Sequence, residues 1–244
     1  MPKTSKAKVQ NIMLSLRGSV VFPPSGINKE FLNKFNEFIR KQIANTKRRF
    51  FIFVGGGFTN DYYQEAAKKV IGRVKADDLD WIGIRATKLN AHLIRTIFRD
   101  IAHPVIVEDY DRKPQINGKR IVVCAGWQPG WNTDFDMVLF TKIFPTEFAV
   151  SLCKVDYIYD KDPEKFKDAK PLTHINWPDY IDIFGDKREQ GREIPFDPIA
   201  AKLAQQLRQK AYVVNGSSLD NLANLFDGGN FKGTLIEGRK YEGE

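Results

Sequence analysis

Three glycine turns at the ends of apolar runs are the residues in this chain best placed to do chemistry. The run Phe50–Val54 ends in Gly55-Gly56-Gly57, and the helix-like stretch Thr59–Ala67 follows at once. A strand, a bare backbone turn and a helix start are thereby lined up. Glycine has no Cβ, so the turn bends freely and a charged ligand can reach its N–H groups. Helix N-termini add unpaired N–H groups and the positive end of the macrodipole. A second turn, Gly18-Ser19, follows Ile12–Leu16 and Arg17. A third, Gly126, follows Ile121–Cys124 and runs into Trp127-Gln128-Pro129-Gly130-Trp131-Asn132-Thr133-Asp134. The chemistry this pattern suggests is phosphate or other anion binding. A purely structural tight turn is the other reading of each glycine, and the residues alone leave both open. There is no Gly-Lys-Ser/Thr at Walker A spacing, and no GxGxxG fingerprint.

The elements that must carry these turns are legible as hydrophobic periodicity. Strand-like runs occur at Ile12–Leu16, Phe50–Val54, Val105–Val107, Ile121–Cys124, Phe148–Leu152, Ala211–Val214 and Thr234–Ile236. Between them, Ile27–Ala44 puts Ile27, Phe31, Phe35, Phe38 and Ile39 on one helical stripe. Ala86–Ile101 does the same with Leu89, Leu93, Ile97 and Ile101. Thr133–Ile143 and Asp197–Gln209 are further helical stretches. This alternation predicts an α/β fold, a three-layer α/β/α sandwich around a largely parallel central sheet. Glycine turns at the ends of separate strands then share one crevice at the carboxyl edge, where open α/β sheets bind ligands. Asp160–Pro171 reads as an exposed loop or short hairpin, and Gly185–Pro195 as a mobile charged loop. A break near Gly130 divides the single domain, 11–244, into an N-lobe to about 130 and a C-lobe from about 131. Met1 to Gln10 reads as a basic tail with no signal-peptide core.

Composition narrows the function classes. The chain has 244 residues, 42% of them hydrophobic, enough for a proper core. No apolar stretch is long enough to span a membrane. The formal net charge is +8, but the basic residues are scattered among acids, with no stripe interleaved with aromatics. That argues against nucleic-acid binding and for a basic surface that attracts phosphorylated metabolites. Cys124 and Cys153 read as small core residues in a reducing cytoplasm, and with only three histidines no metal-ligand spacing occurs.

Several motifs then fall in order: Ser15-Leu16-Arg17-Gly18-Ser19-Val20, the triple glycine, Asp80-Trp81-Ile82-Gly83-Ile84-Arg85-Ala86-Thr87-Lys88-Leu89-Asn90-Ala91, and Gln128 to Asp134. Lys154-Val155-Asp156-Tyr157-Ile158-Tyr159-Asp160-Lys161-Asp162-Pro163, Asp197-Pro198-Ile199-Ala200-Ala201-Lys202 and Gly233-Thr234-Leu235-Ile236 complete the set. From about Ile12 to Ile236 the chain resembles the uridylate (UMP) kinases of the amino-acid-kinase superfamily, in their archaeal form. The resemblance implies transfer of the ATP γ-phosphate to UMP in pyrimidine nucleotide synthesis, in the cytoplasm. ATP would be carried with Mg²⁺, with no dedicated protein metal site, and the assembly would be a homohexamer built through N-terminal helices.

Residue by residue, it implies ATP contacts at Gly18, Ser19, Gly57, Cys153, Lys154, Tyr159 and Asp162. It implies UMP contacts at Gly56, Asp80, Trp127, Gln128, Pro129, Gly130, Trp131, Asn132 and Thr133. Asp134 and Asp197 are implied as acids near the transferring phosphate, and Arg17 is a candidate phosphate clamp beside them. Bland readings stand next to several of these. Asp80, Thr133 and Asp197 suit helix caps, Asp162 before Pro163 suits a turn, Lys154 a strand-end charge and Tyr159 packing.

The chain departs from the family pattern, which has glycine where Arg17 stands and arginine where Asp61 stands. It also has Ala125-Gly126 for Gly-Gly, Asn132-Thr133-Asp134 for Thr-Thr-Asp, and Asp156-Tyr157-Ile158-Tyr159 for Asp-Gly-Val-Tyr. Two alternatives follow: a kinase of the same fold with another small phosphate or carboxylate acceptor, or a non-catalytic nucleotide-binding assembly. Isopentenyl phosphate kinases, one such neighbour, use a histidine beyond the second glycine turn, and Phe58–Ala67 contains none.

Overall fold

The computed structural model describes residues 9–163, 165–187 and 194–238. Most of the basic tail and residues 188–193 of the charged loop lie outside them. The first half of the chain runs through β1 (Gln10–Leu16), a single helical turn α1 (Gly18–Val21), α2 (Lys29–Asn45), β2 (Arg48–Val54), α3 (Gly57–Ile71), α4 (Ala76–Ile97) and β3 (Ile121–Cys124). The second half adds α5 (Thr133–Phe140), β4 (Phe148–Cys153), β5 (Ile158–Tyr159), β6 (Pro171–Leu172), β7 (His174–Ile175), α6 (Trp177–Phe184), α7 (Pro198–Leu207), β8 (Lys210–Asn215), α8 (Leu219–Phe226) and β9 (Thr234–Ile236).

Seven strands form one sheet in the order β3-β2-β1-β4-β8-β9-β7. Pairing is parallel throughout except between β8 and β9. Side chains alternate between the two faces, as the strand repeat of two requires. Ile12, Leu14, Leu16, Phe50, Ile52 and Val54 pack with helices α2, α4 and α8 on one face. Met13, Phe51 and Phe53 pack with α5, α6 and α7 on the other. The result is the α/β/α sandwich that the sequence predicts. Near-continuous apolar strands are what a sheet covered on both faces demands.

The five parallel strands β1, β2, β3, β4 and β8 place their carboxyl ends along one edge. The chain leaves β1 outward through β2 to β3 on one side, and reaches β4 and β8 on the other. The β1/β4 boundary is therefore the topological switch point, where such sheets open a ligand crevice.

Four sequence expectations need correction. Val105–Val107 is not a strand: Val107 makes one bridge to Cys124, and Val105 is exposed. Pro104 just before it lacks an N–H for a ladder. Helix α4 begins at Ala76, ten residues before Ala86, with Asp77 and Asp78 in its first turn complementing the helix dipole. Its buried stripe is Thr87, Asn90, Ala91 and Ile94, whereas Leu89 faces solvent. Ile27 precedes α2 and is likewise exposed. By contrast, the hairpin reading of Asp160–Pro171 holds: β5 and β6 pair antiparallel, and Asp160 N–H donates to Lys170 O at 3.1 Å.

Candidate functional site

The first two glycine turns pack backbone against backbone at the carboxyl edge. Gly55 N–H donates to Leu16 O (3.0 Å) and Phe58 N–H to Phe22 O (2.7 Å). A Cβ on Gly55 would lie 2.6 Å from Gly18 N; one on Gly57, whose φ is +56°, would lie 2.7 Å from Gly18 O. Glycine is required here by close approach and, at Gly57, by a left-handed backbone. Among the described residues, no hydrogen bond within the fold occupies the N–H groups of Gly56 and Gly57. Gly57 is also the first residue of α3, so its N–H lies at a helix start.

Two residues of α4 hold these turns, and sequence reasoning did not single them out. Asn90, almost fully buried, donates from Nδ2 to Gly55 O (2.9 Å) and Gly56 O (2.8 Å). Thr87 Oγ1 accepts from Gly126 N–H (2.9 Å) and donates to Ile84 O (2.7 Å). One helix face thus fixes the second and third turns together. With their carbonyls tied back, the peptides of the second turn are fixed in orientation. The available signal was two polar residues, three apart, on a helix stripe that the packing buries.

The Trp127–Thr133 loop is shaped from both ends. Asp80 on α4 accepts from Gly130 N–H at 2.6 Å. Asn132 caps α5 by accepting from Phe135 N–H (3.0 Å). Trp127 and Trp131 meet edge to face at 5.2 Å, and Trp127 continues onto buried Tyr110. The indoles therefore form a wall anchored in the core. Gln128 O accepts from Trp131 N–H (3.3 Å), which closes the turn through Pro129 and Gly130. Thr133 opens α5.

On the α5 and α7 face lies a buried charged centre. Strand alternation carries past β1 and puts Arg17 on the face of Met13 and Ser15. Asp134, 1% exposed, accepts from Ser151 Oγ (3.2 Å) and Asp197 N–H (3.3 Å). Arg17 Nη2 stands 3.9 Å from Asp134 Oδ2, and Nη1 donates to Ile194 O (2.6 Å) and Pro195 O (3.0 Å). Asp197, also buried, caps α7 through Ala200 N–H (2.9 Å). The structure thus brings Arg17, Asp134 and Asp197 together, with the guanidinium turned toward protein carbonyls.

At the β1/β4 switch point, Ser19, Cys153 and Lys154 line one cleft of about 400 Å³ with Phe31 and Lys34 of α2 and Asn215 and Ser217 after β8. Asn215 Nδ2 bonds both Lys154 O (3.1 Å) and Asp156 Oδ1 (2.8 Å), so the two strand ends are tied across the cleft mouth. Cys153 Sγ donates toward Val155 O (3.4 Å) and Val214 O (3.5 Å). Tyr159 and Asp162 do not line this cleft. They sit on the hairpin, where Asp162 pairs with Lys165 at 3.3 Å. Asp61 is exposed on α3 and accepts from Asn60 Nδ2 (2.9 Å).

This geometry suits two anions set side by side: one over the Gly56–Gly57 turn, the other reaching from Ser19 toward Lys154. Comparison with known proteins points the same way. The model of the amino acid kinase family matches residues 18–215. A uridylate kinase of Methanocaldococcus jannaschii is 30% identical, over 93% of this chain and 99% of that protein. One of Pyrococcus abyssi is also 30% identical, over 93% and 99%. The crystal structure of uridylate kinase from Archaeoglobus fulgidus superposes with a TM-score of 0.78 at 26% identity, covering 92% of this chain and 99% of that one.

Proposed function

The chain belongs to the amino acid kinase family, and from that premise we propose that it is a uridylate kinase, which transfers the γ-phosphate of ATP to UMP and releases UDP and ADP. The observation that carries the reading is the backbone-to-backbone packing of the two glycine turns. It leaves the Gly56 and Gly57 N–H groups free of partners within the described fold. In-line phosphoryl transfer asks little covalent chemistry of a protein. It needs two phosphates aligned and their charge offset.

UMP lies against the Trp127–Trp131 wall, with its phosphate toward Gly56 and its ribose near Asp80. ATP enters as its Mg²⁺ complex, the metal being part of the substrate and offsetting charge on the phosphate oxygens. Its phosphates meet Gly18, Ser19 and Gly57; Cys153 and Lys154 form the nucleoside side, with Tyr159 and Asp162 on the β5–β6 hairpin outside the cleft. The UMP phosphate is already an anionic nucleophile, so no general base is needed. Asp134 and Asp197 hold the polar centre behind the transferring phosphate, with Arg17 beside Asp134.

The chain divides functionally near residue 130, into an acceptor side before it and an ATP side after it. Its place is the cytoplasm, in pyrimidine nucleotide synthesis, and it works as a homo-oligomer, a hexamer. In support of assembly, α3 buries none of its residues within one chain, and Tyr62, Tyr63, Val70 and Ile71 on it stand exposed. In support of a reducing compartment, Cys124 and Cys153 are both buried thiols in the core.

ADP release is the test, with ATP, Mg²⁺ and a panel of UMP, CMP, dTMP and isopentenyl phosphate. Turnover on UMP above the others is expected. Turnover on a different acceptor moves the specificity, and ATP binding without turnover on any acceptor refutes the kinase reading.

A further inference from the structure

Four consecutive residues, Ile194 to Asp197, are pinned one after another. Arg17 Nη1 holds Ile194 O (2.6 Å) and Pro195 O (3.0 Å). Tyr180 Oη, fully buried, donates to Phe196 O (2.6 Å) and accepts from Phe196 N–H (2.9 Å). The Asp134 carboxylate takes Asp197 N–H (3.3 Å). This strap leads directly into the cap of α7. Three of these five hydrogen bonds are local to the α5–α7 layer. The other two come from Arg17, the residue before Gly18, so among the described residues it is Arg17 that joins the strap to the glycine turns.

We propose that Arg17 is a positioning residue that fixes the spacing between the phosphate turns and the acid pair Asp134/Asp197. It acts through the strap and not by contact with nucleotide. The proposal rests on the kinase reading for its catalytic consequence. A guanidinium suits the task because its planar fork spans two carbonyls and a carboxylate together, which a single ammonium cannot. Its charge also offsets Asp134, a buried carboxylate that would otherwise face incoming phosphates uncompensated.

The test combines steady-state kinetics with amide hydrogen exchange on the full chain, comparing Arg17→Gly and Arg17→Lys with the natural protein. For Arg17→Gly, kcat falls about tenfold or more while KM for ATP and UMP stays within about threefold, the signature of lost alignment. Exchange at the Phe196 and Asp197 amides rises by about tenfold, and the lysine variant recovers part of both. A rise in KM for either nucleotide with those amides unchanged overturns the proposal in favour of direct phosphate contact. Unchanged kinetics and exchange overturn it as well. If the glycine variant fails to fold, Arg17→Lys keeps the packed stem and carries the same comparison. If the natural protein turns over no acceptor, the kinase reading fails on its own, and exchange at Phe196 and Asp197 still decides whether Arg17 holds the strap.

Discussion

Replacing Gly57 by alanine separates the two reasons the second turn needs glycine. A Cβ there would lie 2.7 Å from Gly18 O and 2.8 Å from both Cβ and O of Phe22. Ordinary contact begins near 3.4 Å, so relief requires the turns to part by about 0.7 Å, on the scale where a 1 Å misplacement costs about a hundredfold in rate. Alanine at φ +56° adds about 1–2 kcal/mol of backbone strain. Crowding a packed site adds about 1–3 kcal/mol more. The expected result is a loss of about 2–5 kcal/mol in stability and a fall in kcat of ten- to a hundredfold, roughly. Gly72→Ala is the control. It lies at the other end of α3 with φ +72°, and no atom lies within 4 Å of its would-be Cβ. It carries backbone strain of its own, with ψ −67° outside the left-handed helical region, and no crowding. Thermal unfolding and coupled ADP release on both variants read the two terms apart. If Gly57→Ala keeps kcat within about twofold and melts no lower than Gly72→Ala, the turn contact does not align the phosphates.

Other outcomes follow from the same geometry. Asn90→Ala strips the donor from two buried carbonyls and is expected to cost about 1–3 kcal/mol in stability, with a larger proportional loss in kcat than in KM; a loss confined to KM would count against it. Asp80→Asn weakens the hold on Gly130 N–H and raises KM for UMP about tenfold while KM for ATP stays put, measured by initial rates. For His103, burial pushes the pKa below its ordinary 6.5 and the Lys119 charge pushes the same way. The folded state therefore keeps the imidazole neutral after the unfolded chain has begun to protonate. Its contribution is whole above about pH 6.5 and is lost as pH falls through that value toward the lower folded pKa. Urea midpoints at about pH 7.5 and 5.5 should differ less in His103→Asn than in the natural protein.

Much of this was legible in the chain, because a sheet buried on both faces writes its strands as unbroken apolar runs. Phe50–Val54 and Ile121–Cys124 are read correctly for that reason. The three turns converge because parallel strands must end on one edge. What escaped was information carried by packing partners. Helix α4 hid its first half because Asp77, Asp78 and Asp80 mask the period there, and Leu89 misled because the stripe is set by Asn90 and Ile94. Helices α6 and α8 are short, eight residues each, and their apolar residues gave too little period to read. Arg17 shows the limit most clearly. Its type suggested an anion partner, but only the fold could bring Ile194 and Pro195, more than 170 positions away, to its guanidinium.

The central place of β1 has a consequence for the chain's birth. Its first neighbour, β2, begins at Arg48, but its other neighbour, β4, begins only at Phe148. As the polypeptide leaves the ribosome, β1, β2 and β3 can pair while one side of β1 stays bare for roughly a hundred further residues, several seconds or more at ordinary elongation rates. That side is an apolar strand with unpaired backbone groups, the kind of edge that recruits other chains. Nascent copies on one messenger are thus most exposed to mutual entanglement in this interval. A holding chaperone would act on the growing N-terminal half, and slow translation just before Phe148 would lengthen the hazard, whereas fast translation through residues 125–147 would shorten it.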